Sequence, residues 1–501
     1  MEEKVFGLPA NSLANIMVII LVSIAIVLLI GALRRFILVK MGTRNIPRRK
    51  GQSTLIVMGL MLSSIIVAVS LGIGDTVRYS VRSVVFDSAG NIDETISGPG
   101  KQLFGIEYFS YQEFEKVENL ASGNSNIDYV LPYIEINLPV ENNKSGIAES
   151  RVQIRGLDGK YSDNFDDIKN LNNKVLSIND LSNDEVYINA KLSNKLDLNK
   201  GDTVGVYINL QREQFKIAEV LKDGSLAGAN ITPTVLFELD NLQKFLGKEQ
   251  MITNIAISNV GNQDKSLELS DDVTEFLRLN LTNKQVAKKF FDILSSNGIP
   301  ELISEEAKSL EETDTDTFEE LTRISNDLEN NNFNEEFITS VGDYQLQLII
   351  LGSLDKAGLQ NEAGSLLMMF GDLTTLRVDD SKNNGVKLAE TVASGVTTIF
   401  SIFGSFSIMV GMLLIFLVFV LLAAARSTEL GMARAVGLKR RDLIQLFTYE
   451  GTVYSFLAAI VGTSIGIGLS FGLVYILQDL ITTDNFVIKP YFSVTSIIIS
   501  F

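Results

Sequence analysis

Arg426-Ser-Thr-Glu-Leu-Gly-Met-Ala-Arg-Ala-Val-Gly-Leu-Lys-Arg-Arg441 decides how this chain is read, because it is a basic, glycine-broken segment between two long apolar runs, Val396 to Ala425 and Val453 to Leu477. Crossing a hydrocarbon core of about 30 Å takes roughly 20 helical residues. Both runs meet that length, as do Leu13 to Leu33 and Ser53 to Ile73. The fold class expected is therefore an α-helical polytopic membrane protein. The charged stretch becomes a loop between membrane helices, on which a soluble partner can push. A last run, Ser493 to Phe501, covers less than half a bilayer at about 1.5 Å per residue. It reads as an incomplete final helix, with the chain as the front part of a longer protein.

Charge assigns the sides. Between the first two apolar runs, Arg34, Arg35, Lys40, Arg44, Arg48, Arg49 and Lys50 occur with no acid, which places residues 34–52 in the cytoplasm by the positive-inside rule. Alternation then puts 74–395 outside, 426–452 inside and 478–492 outside. The second inside loop again has more Lys and Arg than Asp and Glu, so both loops give one topology. The outer residues 74–395 carry 29 Lys and Arg against 53 Asp and Glu. That acidity disfavours nucleic acid as a partner and suits a solvated extracytoplasmic domain.

Missing residue types narrow the chemistry. With no cysteine and no histidine, the chain lacks a thiol nucleophile, a thiolate metal site and the commonest general base. No G-x-x-x-x-G-K-[ST] phosphate loop is present, since Gly156-Leu-Asp-Gly-Lys160 has the wrong spacing. No catalytic, cofactor-binding or metal-binding residue is assigned, and any ATP must be bound by another subunit. The acid-rich Glu311-Glu-Thr-Asp-Thr-Asp316 lacks the spacing of a calcium loop and reads as a solvated helix start.

The outer region, a large α+β domain between the second and third membrane helices, divides by period. Ile134, Ile136, Leu138 and Val140, then Val152 and Ile154, Val204, Val206 and Ile208, Phe215 and Ile217, and Ile255 and Ile257 alternate at period two between turn residues. Residues 74–260 are expected to be strand-rich. From 261 to 395 the period becomes helical. Thr282 with Gln285 reads as a capping box, Val286, Phe290 and Leu294 share a face, and Gly298 with Pro300 is a stop signal. Phe318, Leu321, Ile324 and Leu328 mark a second helix.

In the decisive segment, residues 426–436 continue as a helix, Gly437 takes the left-handed geometry that ends it, and Leu443, Ile444 and Phe447 restart an apolar face toward Glu450. Glu429 and Arg434 lie on its polar side, and Gly431 and Ala435 leave room for close docking. Anionic lipid is the other partner such a basic segment suits. In the following helix, Ala458, Gly462 and Gly466 recur every fourth residue, as do Gly468 and Gly472, giving a smooth face for helix packing within the subunit or between subunits.

Arg426, Glu429, Gly431, Arg434-Ala435, Gly437 and Glu450-Gly451 together resemble the signature of FtsX-like permeases of ABC transport systems. Asn45-Ile-Pro-Arg-Arg-Lys50, leading into the apolar run at Ser53, is similar to the entry of the helix that precedes that family's extracytoplasmic domain. Ile154-Arg-Gly-Leu-Asp158, Asp184 to Asn189, Leu198 to Val204 and Phe215 to Val220 are similar to the core domain of macrolide-exporter and lipoprotein-release permeases. Residues 396–501 then form the permease module, with 426–450 as its coupling segment. The extra helix Leu13 to Leu33, the acidic helical insertion and the incomplete last helix depart from that pattern. The resemblance implies that a cytosolic ABC ATPase binds ATP, presses on the coupling segment and moves the outer domain; the small-residue helix face admits a homodimer or paired permease as a further partner. The cargo class expected is amphipathic or lipid-linked; the alternative is a signalling subunit that controls an extracellular enzyme or senses a peptide.

Overall fold

The computed structural model describes residues 4–5, 8–34, 36–48, 50–98, 107–208, 211–229, 232–296, 298–311, 314–374, 376–425, 427–435, 437–481 and 488–501. The chain divides into two compact units, 1–84 with 387–501, and 85–386.

The first unit is helical: Ala10–Arg34, Phe36–Arg48, most of Lys50–Ala89 and of Ser381–Ala425, then Ser427–Ala435, Arg440–Ile481 and Val494–Ser500. Among the described residues, Ala14–Arg34, Ser53–Ala89 and Arg440–Ile476 are long and apolar enough to cross a membrane. The run 396–425 falls inside the Ser381–Ala425 helix. The basic stretch read as a loop is instead largely helical, as Phe36–Arg48 with Pro47 inside it, and it packs against the Arg440–Ile481 helix. Tertiary contact here outweighs the backbone hydrogen bond that a proline cannot donate.

Small residues let two of these helices approach closely. Ala458 is buried, a Cβ built on Gly462 would lie 2.8 Å from the Met61 carbonyl oxygen, and one on Gly466 would lie 2.6 Å from the Ala68 Cβ. The row Ala458, Gly462, Gly466 therefore serves packing within the chain, against Lys50–Ala89. Gly468 and Gly472 sit on another side, with open space where a Cβ would be. Further along Lys50–Ala89, the segment 488–493 is tied alongside: Thr76 Oγ1 donates to the Tyr491 carbonyl at 2.9 Å, Ser493 N donates to Asp75 Oδ2 at 2.7 Å, and Tyr79 stacks on Tyr491 at 4.5 Å. Ser493 then caps the helix Val494–Ser500.

The second unit is built on one nine-stranded sheet. Its strands are β1 Glu94–Ser97, β2 Ile127–Asn142, β3 Ala148–Leu157, β4 Glu185–Asn189, β5 Thr203–Ile208, β6 Gln211–Leu221, β7 Thr234–Glu238, β8 Asn254–Asn259 and β9 Arg377–Asp379, in the order β5-β6-β4-β7-β3-β2-β8-β1-β9. β5 also pairs with the end of β2, Val204 opposite Asn142, so six strands close into a ring while β8, β1 and β9 extend from the first half of β2. The period-two residues Ile134, Ile136, Val140, Val152, Ile154, Val204, Val206, Phe215 and Ile217 fill one core on the inner face of this ring. Edge contacts of Phe215 with Phe237 and with Phe245, both at 4.8 Å, add about 0.5–1.5 kcal/mol each beyond burial.

After β8 the chain becomes helical. Gln263–Leu281 lies on the sheet, with Val273 and Leu277 in the sheet core. Lys284–Leu294, Ile299–Leu310, Thr315–Glu329, Glu335–Val341, Tyr344–Lys356 and Gln360–Leu373 then surround a separate core that includes Phe290, Leu321, Ile324 and Phe337. The cap at the first of these is Asn283, whose side chain accepts from Gln285 N and Val286 N, one residue later than the Thr282 read from the sequence. Asparagine caps at least as well as threonine, and Thr282 instead ends the preceding helix. Gly298, in left-handed geometry, begins the helix carrying Pro300. Asp314 caps Thr315–Glu329, so Asp314 to Asp316 of the acid-rich stretch form a helix start, while Glu311 ends Ile299–Leu310 and residues 312–313 lie outside the described residues. β9 returns the chain to the sheet beside β1.

Candidate functional site: the coupling segment and the outer-domain root

The helix Ser427–Ala435 presents Gly431, Met432, Arg434 and Ala435 to solvent, and open space surrounds the position of a Gly431 Cβ. Arg426 lies outside the described residues, and Glu429 falls within the helix. Gly437 has φ +105°, a value suited to glycine alone, and its N donates to the Arg434 carbonyl at 3.1 Å. Lys439 N then donates to Asp442 Oδ2 at 3.2 Å, one half of a capping box that starts Arg440–Ile481. Arg440, Leu443, Ile444, Phe447 and Thr448 line a groove of about 390 Å³ just beyond the turn.

Glu450 and Gly451 face the other way. Glu450 is fully buried, and Tyr454 OH donates to its Oε1 at 3.1 Å. Tyr454 OH also lies 3.0 Å from Ser53 Oγ, which in turn donates to the Ile46 carbonyl at 2.9 Å. The segment thus splits into an exposed face of Gly431, Met432, Arg434 and Ala435 and a buried anchor of Glu450, Gly451 and Tyr454. This anchor joins the coupling segment to the Phe36–Arg48 helix and to the start of Lys50–Ala89. Tyr454→Phe removes the hydroxyl shared by Glu450 and Ser53 and is expected to cost about 1–3 kcal/mol, read as a lower unfolding temperature of the full chain in detergent.

A second polar cluster was not visible in the sequence. In the 85–386 unit, Asp93 and Lys382 form an ion pair of 2.6 Å in which each side chain is 1% exposed. Lys382 N also donates to the Asp93 carbonyl at 3.0 Å. Asp93 Oδ1 accepts from Ser266 Oγ at 2.8 Å and its Oδ2 from Asn259 N at 2.8 Å, while Glu94 Oε1 accepts from Asn259 Nδ2 and Ser270 Oγ at 2.8 and 2.7 Å. Asn383 Nδ2 donates to Asp380 Oδ2 at 2.7 Å and Asp271 Oδ1 at 3.0 Å. The cluster fastens three elements together: the sheet at β1 and β8, the helix Gln263–Leu281, and the first turn of Ser381–Ala425. Its partners are up to 289 residues apart, so no local pattern could have revealed it.

The FtsX-like permease C-terminal family matches residues 401–501, and the MacB-like periplasmic core domain family matches residues 53–275. The chain belongs to the FtsX-like permeases of ABC transport systems. Among solved structures, the periplasmic region of MacB from Actinobacillus actinomycetemcomitans matches at 16% identity over 39% of this chain and 86% of that one, with a TM-score of 0.27. The extracellular domain of the noncanonic ABC-type transporter YknZ from Gram-positive bacteria matches at 14% identity over 36% of this chain and 94% of that one, with a TM-score of 0.25. A comparison with curated proteins finds no match. As an FtsX-like permease, the chain is a multi-pass membrane protein with an extracytoplasmic domain, and the insertion 284–373 lies beyond the core-domain match. In this permease Gly437→Val is expected to strain the turn by about 1–3 kcal/mol, seen as faster proteolysis between residues 427 and 442.

Proposed function

We propose that this permease couples ATP hydrolysis on a separate cytosolic ATPase to motion of its extracytoplasmic domain, and so exports or extracts an amphipathic or lipid-linked cargo. The observation that carries the reading is the exposed face Gly431, Met432, Arg434 and Ala435, which ends at Gly437 and leads directly into the long Arg440–Ile481 helix. A helix docked at one end and packed through Gly462 and Gly466 along its length acts as a lever, because a push at the turn cannot be absorbed by loose packing. The groove beside the turn, apolar but flanked by Arg440, suits a partner side chain with an apolar body and an acidic neighbour.

Gly431→Leu tests the docking face without disturbing the fold, since nothing lies within 4 Å of the added Cβ. Co-reconstituted with the ATPase, Gly431→Leu and Glu429→Ala are each expected to lower ATPase stimulation about tenfold, corresponding to roughly 1.4 kcal/mol of docking energy. Unchanged stimulation by both variants sinks the assignment of this face. Transport and signalling are separated by what the full chain retains on purification: a lipid or drug-like molecule supports transport, and a folded extracellular protein supports signalling.

A further inference from the structure

The root of the outer unit buries more negative than positive charge. Asp93, Glu94 and Asp380 are all buried, and Lys382 supplies one ammonium, which Asp93 engages directly. Asp380 accepts from Asn383, at its backbone N and at Nδ2. Glu94 has only neutral donors, Asn259 Nδ2 and Ser270 Oγ, both on Oε1, and its Oε2 has no hydrogen-bond partner among the described residues. Charged groups come from the elements packed around it. Asp93 precedes it on the approach to β1, and β9, paired with β1, carries Arg377 opposite Ser97 and Asp379 opposite Thr95. Asp380 and Lys382 belong to the start of the Ser381–Ala425 helix, and Asp271 comes from Gln263–Leu281, whereas β8 presents the neutral Asn259. One ammonium cannot offset this set, and an unpaired buried carboxylate costs several kcal/mol.

We propose that Glu94 is a proton-binding site that makes the grip of the outer-domain root on residues 381–384 depend on extracytoplasmic pH. With its proton in place, Glu94 is neutral and the root holds the compact Asp93–Lys382 pair. Loss of that proton to solvent leaves a carboxylate beside Asp93 and Asp380, and the network relieves the repulsion by opening. Burial is the main cause that pushes the Glu94 carboxyl up to about 8; the neighbouring Asp380 and Asp93 add to it, and the bonds from Ser270 and Asn259 oppose it. The sign follows from linkage. A carboxyl near 4.5 when unfolded and about 8 when folded contributes stability that is fully present below about pH 4.5 and lost as pH rises through 8.

Hydrogen exchange of amides 94–97 and 381–386 in the full chain, corrected for the pH dependence of intrinsic exchange, reads this opening. From pH 5 to 9 the wild-type opening constant is expected to rise on the order of a thousandfold relative to Glu94→Gln, a factor of ten per pH unit within the window. Parallel profiles for the two proteins overturn the proposal. Should Glu94→Gln fail to fold, Ser270→Ala decides, because removing a bond that favours the charged form moves the wild-type midpoint to higher pH; an unmoved midpoint overturns it. The proposal rests on the outer unit's own geometry, so its failure leaves ATPase coupling untouched, and failed coupling leaves this pH profile intact.

Discussion

Lys382→Met is expected to destabilise the 85–386 unit by about 3–5 kcal/mol, the range for removing one partner of a buried ion pair. The reason is asymmetry. Asp93 keeps its bonds from Ser266 and Asn259, but its charge is left buried without an ammonium at 2.6 Å. The methionine fills the space of the lysine stem, so lost packing contributes little. A double variant, Asp93→Asn with Lys382→Met, removes both charges and is expected to recover most of the loss, since neutral replacement of a whole buried pair is often tolerated. Pulse proteolysis of the full chain in urea, scored at sites within 85–386, measures both. A double variant as unstable as the single one would show that packing, not charge, dominates at this root.

Gly466→Val carries the second large effect, in the membrane-embedded unit. The added Cβ falls 2.6 Å from Ala68 Cβ and 3.0 Å from the Ile65 carbonyl oxygen, and the latter is backbone that cannot swing aside. Overpacking of this kind costs about 1–3 kcal/mol, occasionally more, and a β-branched side chain has few rotamers with which to escape. The matched control is Gly468→Val, where nothing lies within 4 Å of the Cβ. Thermal unfolding of the full chain in detergent should separate the pair by several degrees. Equal midpoints would remove Gly466 from the seam between Lys50–Ala89 and Arg440–Ile481.

Local pattern made part of this architecture legible. The strands β2, β3, β5, β6 and β8 are legible because their apolar residues alternate in sequence, although every residue of β8 is buried, and each alternating residue singled out in β2 lies in the strand found. The turn at Gly437 was readable because a glycine after a helical run with Lys and Arg following it marks a C-terminus. What pattern could not supply was long-range closure. The ring depends on β5 pairing with the far end of β2 across about sixty residues, and sequence alternation is the same whether or not the sheet closes. Phe36–Arg48 is not legible as a helix because the seven basic residues from Arg34 to Lys50, together with Pro47, are loop signals, and only contact with the Arg440–Ile481 helix reverses them. The family pattern puts Glu450 in the coupling segment, but its burial and its bond from Tyr454 form only with the folded helices around it. The root cluster was invisible for the simplest reason, since Asp93 and Lys382 meet only once the sheet and both flanking helices are folded.

In the proposed mechanism, ATP bound by a separate subunit moves the outer domain through residues 427–450. The most direct measurement is electron spin resonance of the full chain in nanodiscs with its ATPase, with spin labels on Lys144 in the outer unit and Thr448 beside the turn, recorded with and without ATP. The expected distance distribution shifts on adding ATP in the wild type and stays fixed in Gly431→Leu. Identical wild-type distributions in both conditions, with the ATPase bound, would contradict it.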